Sequence, residues 1–416
     1  MGIDGGLSAW WCFRVGSAGL ARYLSLVLLV FLLSYFVLDY SKYRNNIYYA
    51  FFAVPALVFA VPAIWRNWPG WAGGSLLLYF LGGLLADGLS GDPALRLFKH
   101  QLYLLLLFGG LCVCVREGRG FRLAGLVYAI VCLLFACMAV YLWLEAYRAN
   151  GVPSRISLYA AASNPVHASL MILTGWLGFW MVYGLPKLLE RGRLAYLCGF
   201  ALMLGFAFLI CIVFQSRSTL LGLLAVLGGW LVLGSERRMS LLLLVALLLL
   251  VLVSGGYEAL LARGVSYRFD IWQDALLRLR DDCSWVLGCT QAGRPLYLGQ
   301  FYHAHSAYLS ILVDTGLLGA ATFAVFAVIY MVQGMRTRSP WFIVSLAGWA
   351  GVVTSSSGLV DSPRPLWIYF WLPTLLALLD YHTAGRLRSQ LRRSPRAIFA
   401  METHSGNRHR NGQDDA

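Results

Sequence analysis

The sequence predicts an all-α, polytopic integral membrane protein of about twelve transmembrane helices with one larger outside loop. Three observations carry this. Hydrophobic residues make up 59% of the 416 positions and charged residues only 12%. Mean hydropathy is +0.68. Apolar runs of about bilayer length follow one another almost end to end. Length alone would admit two or three soluble domains, but a globular domain buries one core and needs no such series. The spans are expected to be helices, because open sheet edges cannot sit in hydrocarbon.

Taken in order, the spans fall near 19–38, 47–65, 71–89, 101–115, 121–143, 165–184, 194–214, 218–234, 240–256, 306–333, 340–357 and 365–382. Arg14 and Arg22 stand at the head of the first. No small-residue cleavage site accompanies it, so it reads as a retained span and not a signal peptide. The spans near 101–115 and 218–234 are short for the hydrocarbon. The membrane domain covers 1–385 and includes a loop at about 257–304; 386–416 is a basic tail. That tail is polar and lacks apolar periodicity, so it is expected to be disordered.

Basic residues in short loops set the orientation. With the N-terminus inside, the inside loops carry Arg66; Arg116, Arg119 and Arg122; Lys187, Arg191 and Arg193; Arg237 and Arg238; and Arg336 and Arg338. The tail adds Arg386, Arg388, Arg392, Arg393 and Arg396. An even span count puts both termini inside and the 257–304 loop outside. The net charge of +14 is largely this topology-setting arginine and a tail beside anionic lipid, so it does not argue for nucleic acid.

Seven of nine cysteines lie in or beside apolar spans, where Cys acts as a small hydrophobe. Cys283 and Cys289 lie in the outside loop, six residues apart. An oxidising compartment would allow them to join; spacing alone leaves two free thiols equally open. No CxxC pair occurs, which argues against thiolate metal binding.

Ionisable groups kept in such a chain are functional candidates by default. Gln215-Ser216-Arg217-Ser218-Thr219 separates two spans with almost no loop. Ser216 or Ser218 is placed to cap the next helix, and a helix N-terminus with an Arg makes an anion site. A snorkelling arginine is the plain alternative. The outside loop then reads Tyr267-Arg268-Phe269-Asp270-Ile271-Trp272-Gln273-Asp274. Phe269, Trp272, Leu276 and Leu279 recur at helical spacing. They predict an amphipathic helix on the outer face, with Trp272 at headgroup level and Arg268 on its face. An ion pair from Arg268 to Asp270 or Asp274 is the competing reading.

Tyr302-His303-Ala304-His305-Ser306-Ala307-Tyr308-Leu309 follows. On a continuous helix His303 and His305 would stand about 200° apart, and Asp314 would lie opposite His305 and about 13 Å further along. That arithmetic argues against both histidines serving one site, and against Asp314 as a direct partner of His305. A metal at this HxH is disfavoured, with no acid at ligand spacing. Gly316 and Gly319 are expected to let a neighbouring helix approach. Arg217, Arg268 and His305 come from three distant segments, yet topology places all on one side. Two fixed cations beside one titratable base suit a phosphorylated lipid donor and a hydroxyl acceptor.

At these residues the chain resembles the O-antigen ligase family, shared more broadly with O-antigen polymerases and some pilin oligosaccharyltransferases. The matches are Ser216-Arg217-Ser218, Arg268 followed by Trp272, the Gly288 to Gly293 turn, and His305-Ser306-Ala307-Tyr308-Leu309 running to Gly316-Leu317-Leu318-Gly319. His305 and Gly316 fit the family's His, ten residues, Gly pattern. Ser163-Asn164-Pro165-Val166-His167 resembles an outer-face segment. Arg148, Asn150-Gly151 and Arg155 are further outer-face candidates. Ser306 stands where many members have Asn, and Asp314 where many have Glu. The resemblance implies a GT-C-like helical bundle in the Gram-negative inner membrane with a periplasmic active site. It implies transfer of polysaccharide from undecaprenyl pyrophosphate to a sugar hydroxyl of lipid A–core, with inversion. Carried over by residue, Arg217 and Arg268 hold the pyrophosphate and His305 is the general base. His303, Trp272, Arg155 and His167 are secondary candidates. No cofactor or metal is expected, and no P-loop sequence occurs.

An O-antigen polymerase is the nearest rival, since it uses the same donor chemistry. A pilin oligosaccharyltransferase fits less well, because the tail after Tyr381 is short and polar. A lipid-linked glycan transporter would want a charged path through the bilayer middle and a half-length repeat, and the sequence offers neither. A purely structural scaffold leaves the clustered cations unexplained.

Overall fold

The structure, a computed structural model, describes residues 17–91, 94–151, 154–234, 237–253, 267–289 and 296–393. Helices build these residues, with no strand among them and two isolated bridges, Ser284 with Gly288 and Tyr297 with Phe301. The longer helices, in chain order, are α1 (Ser17–Val37), α2 (Gly70–Ser90), α3 (Ala94–Glu117), α4 (Arg119–Asn150), α5 (Pro165–Phe179), α6 (Arg193–Val213), α7 (Arg217–Leu233), α8 (Arg237–Val253), α9 (Arg268–Asp281), α10 (Ala307–Thr337), α11 (Pro340–Gly351) and α12 (Leu372–Arg393). Among the described residues, 7 helices are long and apolar enough to cross a bilayer: α1 to α4, α5 continued through the following turns to Glu190, α6 and α10. Helices α7 and α11 are shorter apolar elements. Among the described residues each expected span overlaps a helix or a run of helical turns, although the one expected to reach 357 ends at Thr354. The protein is all-α and polytopic.

Proline explains where the helices depart from regularity. Wide π-type turns occupy Ile47–Ala53, Trp180–Gly184 and Trp367–Trp371. Each ends within two residues of a proline: Pro55, Pro186 and Pro373. Proline has no N–H to give and crowds the carbonyl four residues back, so the preceding turn opens. The span expected at 47–65 is therefore not one helix. Beyond the π turn it splits into Val54–Phe59 and Val61–Arg66, and Pro62 breaks it after Ala60. The span expected at 101–115 is instead longer: α3 starts at Ala94 and carries Arg96, Lys99 and His100 in its first two turns.

Packing pairs α2 with α10, α7 with α11, and α1 with α3 and α4. Gly222 lets α7 touch the α11 backbone, since a β-carbon there would lie 2.7 Å from the Ala347 carbonyl oxygen. Trp367, Tyr369 and Trp371 are fully buried, so the entry to α12 is the centre of the bundle. Leu26, Leu134 and Val328 on outer faces are exposed, as a lipid-facing surface requires.

Helix α9 and the turns after it make a second, smaller core of Ile271, Ala275, Leu279, Cys289, Tyr297, Ala304 and Val313. The expected apolar stripe is thereby corrected. The buried row is Ile271, Ala275 and Leu279, with Trp272 partly buried beside it, while Phe269 and Leu276 are exposed. Both rows have helical spacing, and only the docking of α9 decides which one faces inward. Helix α12 continues to Arg393, past the point where the tail was expected to begin. The rest of that tail, Arg14, Gly293 and part of the 257–304 loop lie outside the described residues.

Candidate functional site

His305 stands before α10, not on it. Its φ is +52°, in the left-handed region, and Ser306 is the N-cap, its hydroxyl accepting the Leu309 N–H at 3.4 Å. Asn caps as well as Ser does, which accounts physically for the departure noted at Ser306. The helical arithmetic that separated the two histidines therefore does not apply. The His303 and His305 rings lie 4.0 Å apart, centroid to centroid. The expected separation of the two side chains by about 200° is thereby corrected, because the left-handed residue folds the chain back on itself.

Trp272 of α9 holds this turn in place: its Nε1 donates to the Ala304 carbonyl at 3.0 Å. Arg268, the first residue of α9, acts on His305 electrostatically. Burial first, then His303 and Arg268, lowers the His305 imidazole to about 4. Burial and then Arg364 lower His303 as well, against its backbone hydrogen bond. Both rings are thus held in their neutral form near neutral pH, with His305 a weaker base than a free imidazole. Asp274, one of the two acids weighed against Arg268, is engaged elsewhere. It pairs with Arg278 at 2.9 Å and accepts the Leu298 N–H at 2.9 Å.

The disulfide is formed: Cys283 and Cys289 are bonded, with Cα atoms 4.8 Å apart. It closes the turn that carries Gly288. That turn is stitched to α10, with Cys289 N–H donating to Val313 O at 2.7 Å, Leu317 N–H to Trp285 O at 2.8 Å and Leu318 N–H to Val286 O at 3.1 Å. Gly316 sits inside α10 with φ +60° and ψ −162°. A β-carbon there would meet the Val286 carbonyl and lie 2.6 Å from Gly288 N. Gly316 therefore admits this turn rather than a neighbouring helix, which corrects the expected role. A β-carbon at Gly319 would meet the Thr315 side chain of α10 itself.

Arg217 begins α7. Ser216 is the N-cap, accepting Thr219 N–H at 3.3 Å. Gln215 before it has φ +46°. Left-handed non-glycine residues cost about 1 kcal/mol or more each and gather at functional sites. Here they precede or carry two of the candidate residues, Arg217 and His305. Ser218 bonds Thr354 at 2.7 Å, which joins the start of α7 to the 355–365 connection.

That connection walls two cavities. The larger, about 290 Å³, is lined by Asp87 of α2, Arg96 and His100 of α3, Tyr302, His303 and Cys289, Asp314 of α10, and Asp361 and Arg364. The smaller, about 60 Å³, is lined by His167, Ser355, Asp361 and Arg364. His167 Nδ1 lies 3.2 Å from the Tyr369 hydroxyl. Arg364 pairs with Asp361 at 2.8 Å and donates to Ser357 at 3.0 Å. Asp314, set aside by helical arithmetic, thus shares a cavity with His303. Arg217, Arg268, His305 and Arg155 are not among the residues lining either cavity; Arg155 is partly buried in the segment before α5.

Sequence reasoning missed Asp87, Arg96, His100, Asp361 and Arg364. A signal existed for the last two: Ser355-Ser356-Ser357-Gly358 and Asp361-Ser362-Pro363-Arg364-Pro365 form a long polar, proline-bearing interruption between apolar runs. Among the described residues, no group of three or more His, Cys, Asp or Glu is placed to hold a metal ion.

Two comparisons bear on this site. Residues 200–324 match the family described as O-Antigen ligase, a stretch that includes Arg217, α9, both histidines and Gly316. Over 370 residues the chain is 26% identical to a protein named O-antigen ligase from Pseudomonas aeruginosa, covering 82% of this chain and 86% of that one.

Proposed function

We propose that this chain, a member of the O-antigen ligase family, is a glycosyltransferase that moves O-antigen polysaccharide from undecaprenyl pyrophosphate to a sugar hydroxyl of lipid A–core. The reaction takes place at the periplasmic face of the inner membrane, with both termini cytoplasmic. The acceptor hydroxyl attacks the anomeric carbon. His305 takes the hydroxyl proton, and the bond to the pyrophosphate oxygen breaks. Arg217 and Arg268 hold the pyrophosphate and stabilise its charge as it leaves. Pyrophosphate is already a good leaving group, so the step needs neither nucleotide nor metal activation.

The observation that carries this reading is the placement of His305. A neutral imidazole, on a left-handed residue next to the Ala304 carbonyl that Trp272 holds, stands in the field of Arg268 and beside His303, which lines the polar cavity. When pyrophosphate enters, its negative charge offsets the arginine field and raises the basicity of His305. The base is then strongest when the donor is bound.

The test is a product assay with purified protein in detergent, given undecaprenyl-pyrophosphate glycan with or without lipid A–core. A lipid A–core–glycan product that disappears in His305→Ala supports the ligase. Longer undecaprenyl-linked chains formed without core acceptor would replace it with a polymerase. Arg217→Lys is expected to be damaging, because an ammonium loses the planar fork; wild-type kinetics in that variant would remove the donor role of Arg217.

A further inference from the structure

The two histidines divide the site. His305 faces the field of Arg268, whereas His303 lines the larger cavity. His303 Nδ1 is buried with no hydrogen-bond partner among the described residues. A buried imidazole nitrogen left unmatched is costly, so the His303 ring is held at the cavity wall under strain. The cavity it lines is polar and of mixed charge. Three carboxylates, Asp87, Asp314 and Asp361, face two guanidiniums, Arg96 and Arg364, and Arg364 is already paired with Asp361 at 2.8 Å. Among the described lining residues the guanidiniums do not outnumber the carboxylates, which favours a neutral ligand over a dianionic pyrophosphate. Carboxylates and guanidiniums lining one space suit the hydroxyls of a neutral sugar, each of which both donates and accepts. The volume of about 290 Å³ lies at the lower bound of the roughly 300–1,000 Å³ typical of small-molecule sites. That is room for a ring, not for a polysaccharide.

We propose that this cavity is the acceptor subsite. It seats the terminal sugar ring of the acceptor, with Asp314 and Asp361 accepting its ring hydroxyls and the His303 side chain contacting one more. The inference rests on the ligase reading and assigns it a place for the second substrate. Donor phosphate and acceptor sugar then meet across the histidine pair, the acceptor on the His303 side and the departing pyrophosphate on the Arg268 side. His303 is a positioning residue in this scheme, and the proton still leaves to His305.

Steady-state transfer by the full chain in detergent, with donor and acceptor varied separately, tests the assignment. Asp314→Asn and Asp361→Asn remove charge at nearly constant shape. Each is expected to raise the acceptor KM about tenfold or more, the loss of one hydrogen bond to a charged group. The donor KM is expected to hold. Ser357→Phe, which fills part of the cavity and removes the Ser357 bond to Arg364 while leaving both carboxylates in place, is expected to give the same split. A rise in donor KM with acceptor KM unchanged, in the Asn variants or the Phe variant, overturns the acceptor assignment. A wild-type protein that transfers no glycan to core acceptor overturns the ligase reading instead, so the two failures are distinguishable. His303→Gln, which keeps a hydrogen-bonding side chain, is expected to recover more acceptor affinity than His303→Ala; equal loss in both overturns the role given to His303.

Discussion

Gly316→Ala tests the claim that the disulfide turn is locked into α10. The backbone at Gly316, φ +60° and ψ −162°, lies in a region that is essentially glycine-only, and holding another residue there costs about 1–3 kcal/mol. The new β-carbon would also lie 2.6 Å from Gly288 N, whereas relaxed heavy-atom contacts sit near 3.5–4.0 Å. Either α10 or the turn must move by roughly 1 Å. Moving the turn strains the three backbone bonds that Cys289, Leu317 and Leu318 make, each worth about 0.5–1.5 kcal/mol net. The detached state should gain about 3 kcal/mol or more, a shift of at least roughly a hundredfold in population.

Hydrogen exchange read by mass spectrometry reports those amides directly. In the wild type, Cys289, Leu317 and Leu318 should exchange slowly; in Gly316→Ala they should exchange about a hundredfold faster, with glycan transfer falling in step. Gly228→Ala is the control. It sits within α7 with no atom within 4 Å of the added carbon, so it should gain up to about 1 kcal/mol of helix propensity. Unchanged exchange and transfer in Gly316→Ala would refute the lock.

Trp272→Phe keeps the ring and deletes the bond to Ala304 O, so it should cost about 1 kcal/mol and lower kcat more than it raises either KM. Unchanged kcat would mean that the indole only packs. The acid limb of kcat/KM should fall near pH 4, not near 6.5, because it reports His305 in the free enzyme. Protonation below that limb removes the base. Arg268→Gln deletes one of the charges that lower His305 and should move the limb upward; an unmoved limb assigns it to another group. Bound pyrophosphate should likewise place the kcat limb above the kcat/KM limb. Cys283→Ser with Cys289→Ser opens a loop with a sequence separation of 6 and should cost about 2 kcal/mol on the chain-entropy account, seen as a lower thermal midpoint. Reductant should then lower the wild-type midpoint and leave the double variant unaffected.

The spans were legible because hydrocarbon imposes one strong rule on sequence: backbone groups pair locally and side chains are apolar. That rule reads lengths and positions but says nothing about where polar residues converge. Arg96, Lys99 and His100 looked like the flank of a short span, yet α3 runs straight through them. Charge at a helix end and charge facing an internal cavity give the same local sequence. What separates them is the opposite wall, here Asp314 on α10 and Asp361 beyond α11, more than 200 residues away.

The histidine turn fails in the opposite direction. His303 and His305 were recognised as chemistry but misplaced relative to each other, because helical periodicity was extended one turn too far. The stop signal was Ser306, a good N-cap, which moves the helix start to Ala307. Once the cap is placed there, His305 is free to take φ +52° and the two rings come to 4.0 Å. Gly316 carries the same lesson further along α10. A glycine within an apolar span reads as a helix-packing site, yet this one admits a loop. A span expected to be a continuous rod is instead interrupted at each end of the residues that line the site, by a capped start at Ser306 and a glycine kink at Gly316. Between those two breaks lie nine residues, 307–315, and Asp314 is the one among them that bears a carboxylate. The kink lets the Cys289 turn close over the same cavity that Asp314 enters from α10. The acid and the base are therefore placed by the departures from helix, so a site of this kind is found by locating where the periodicity stops.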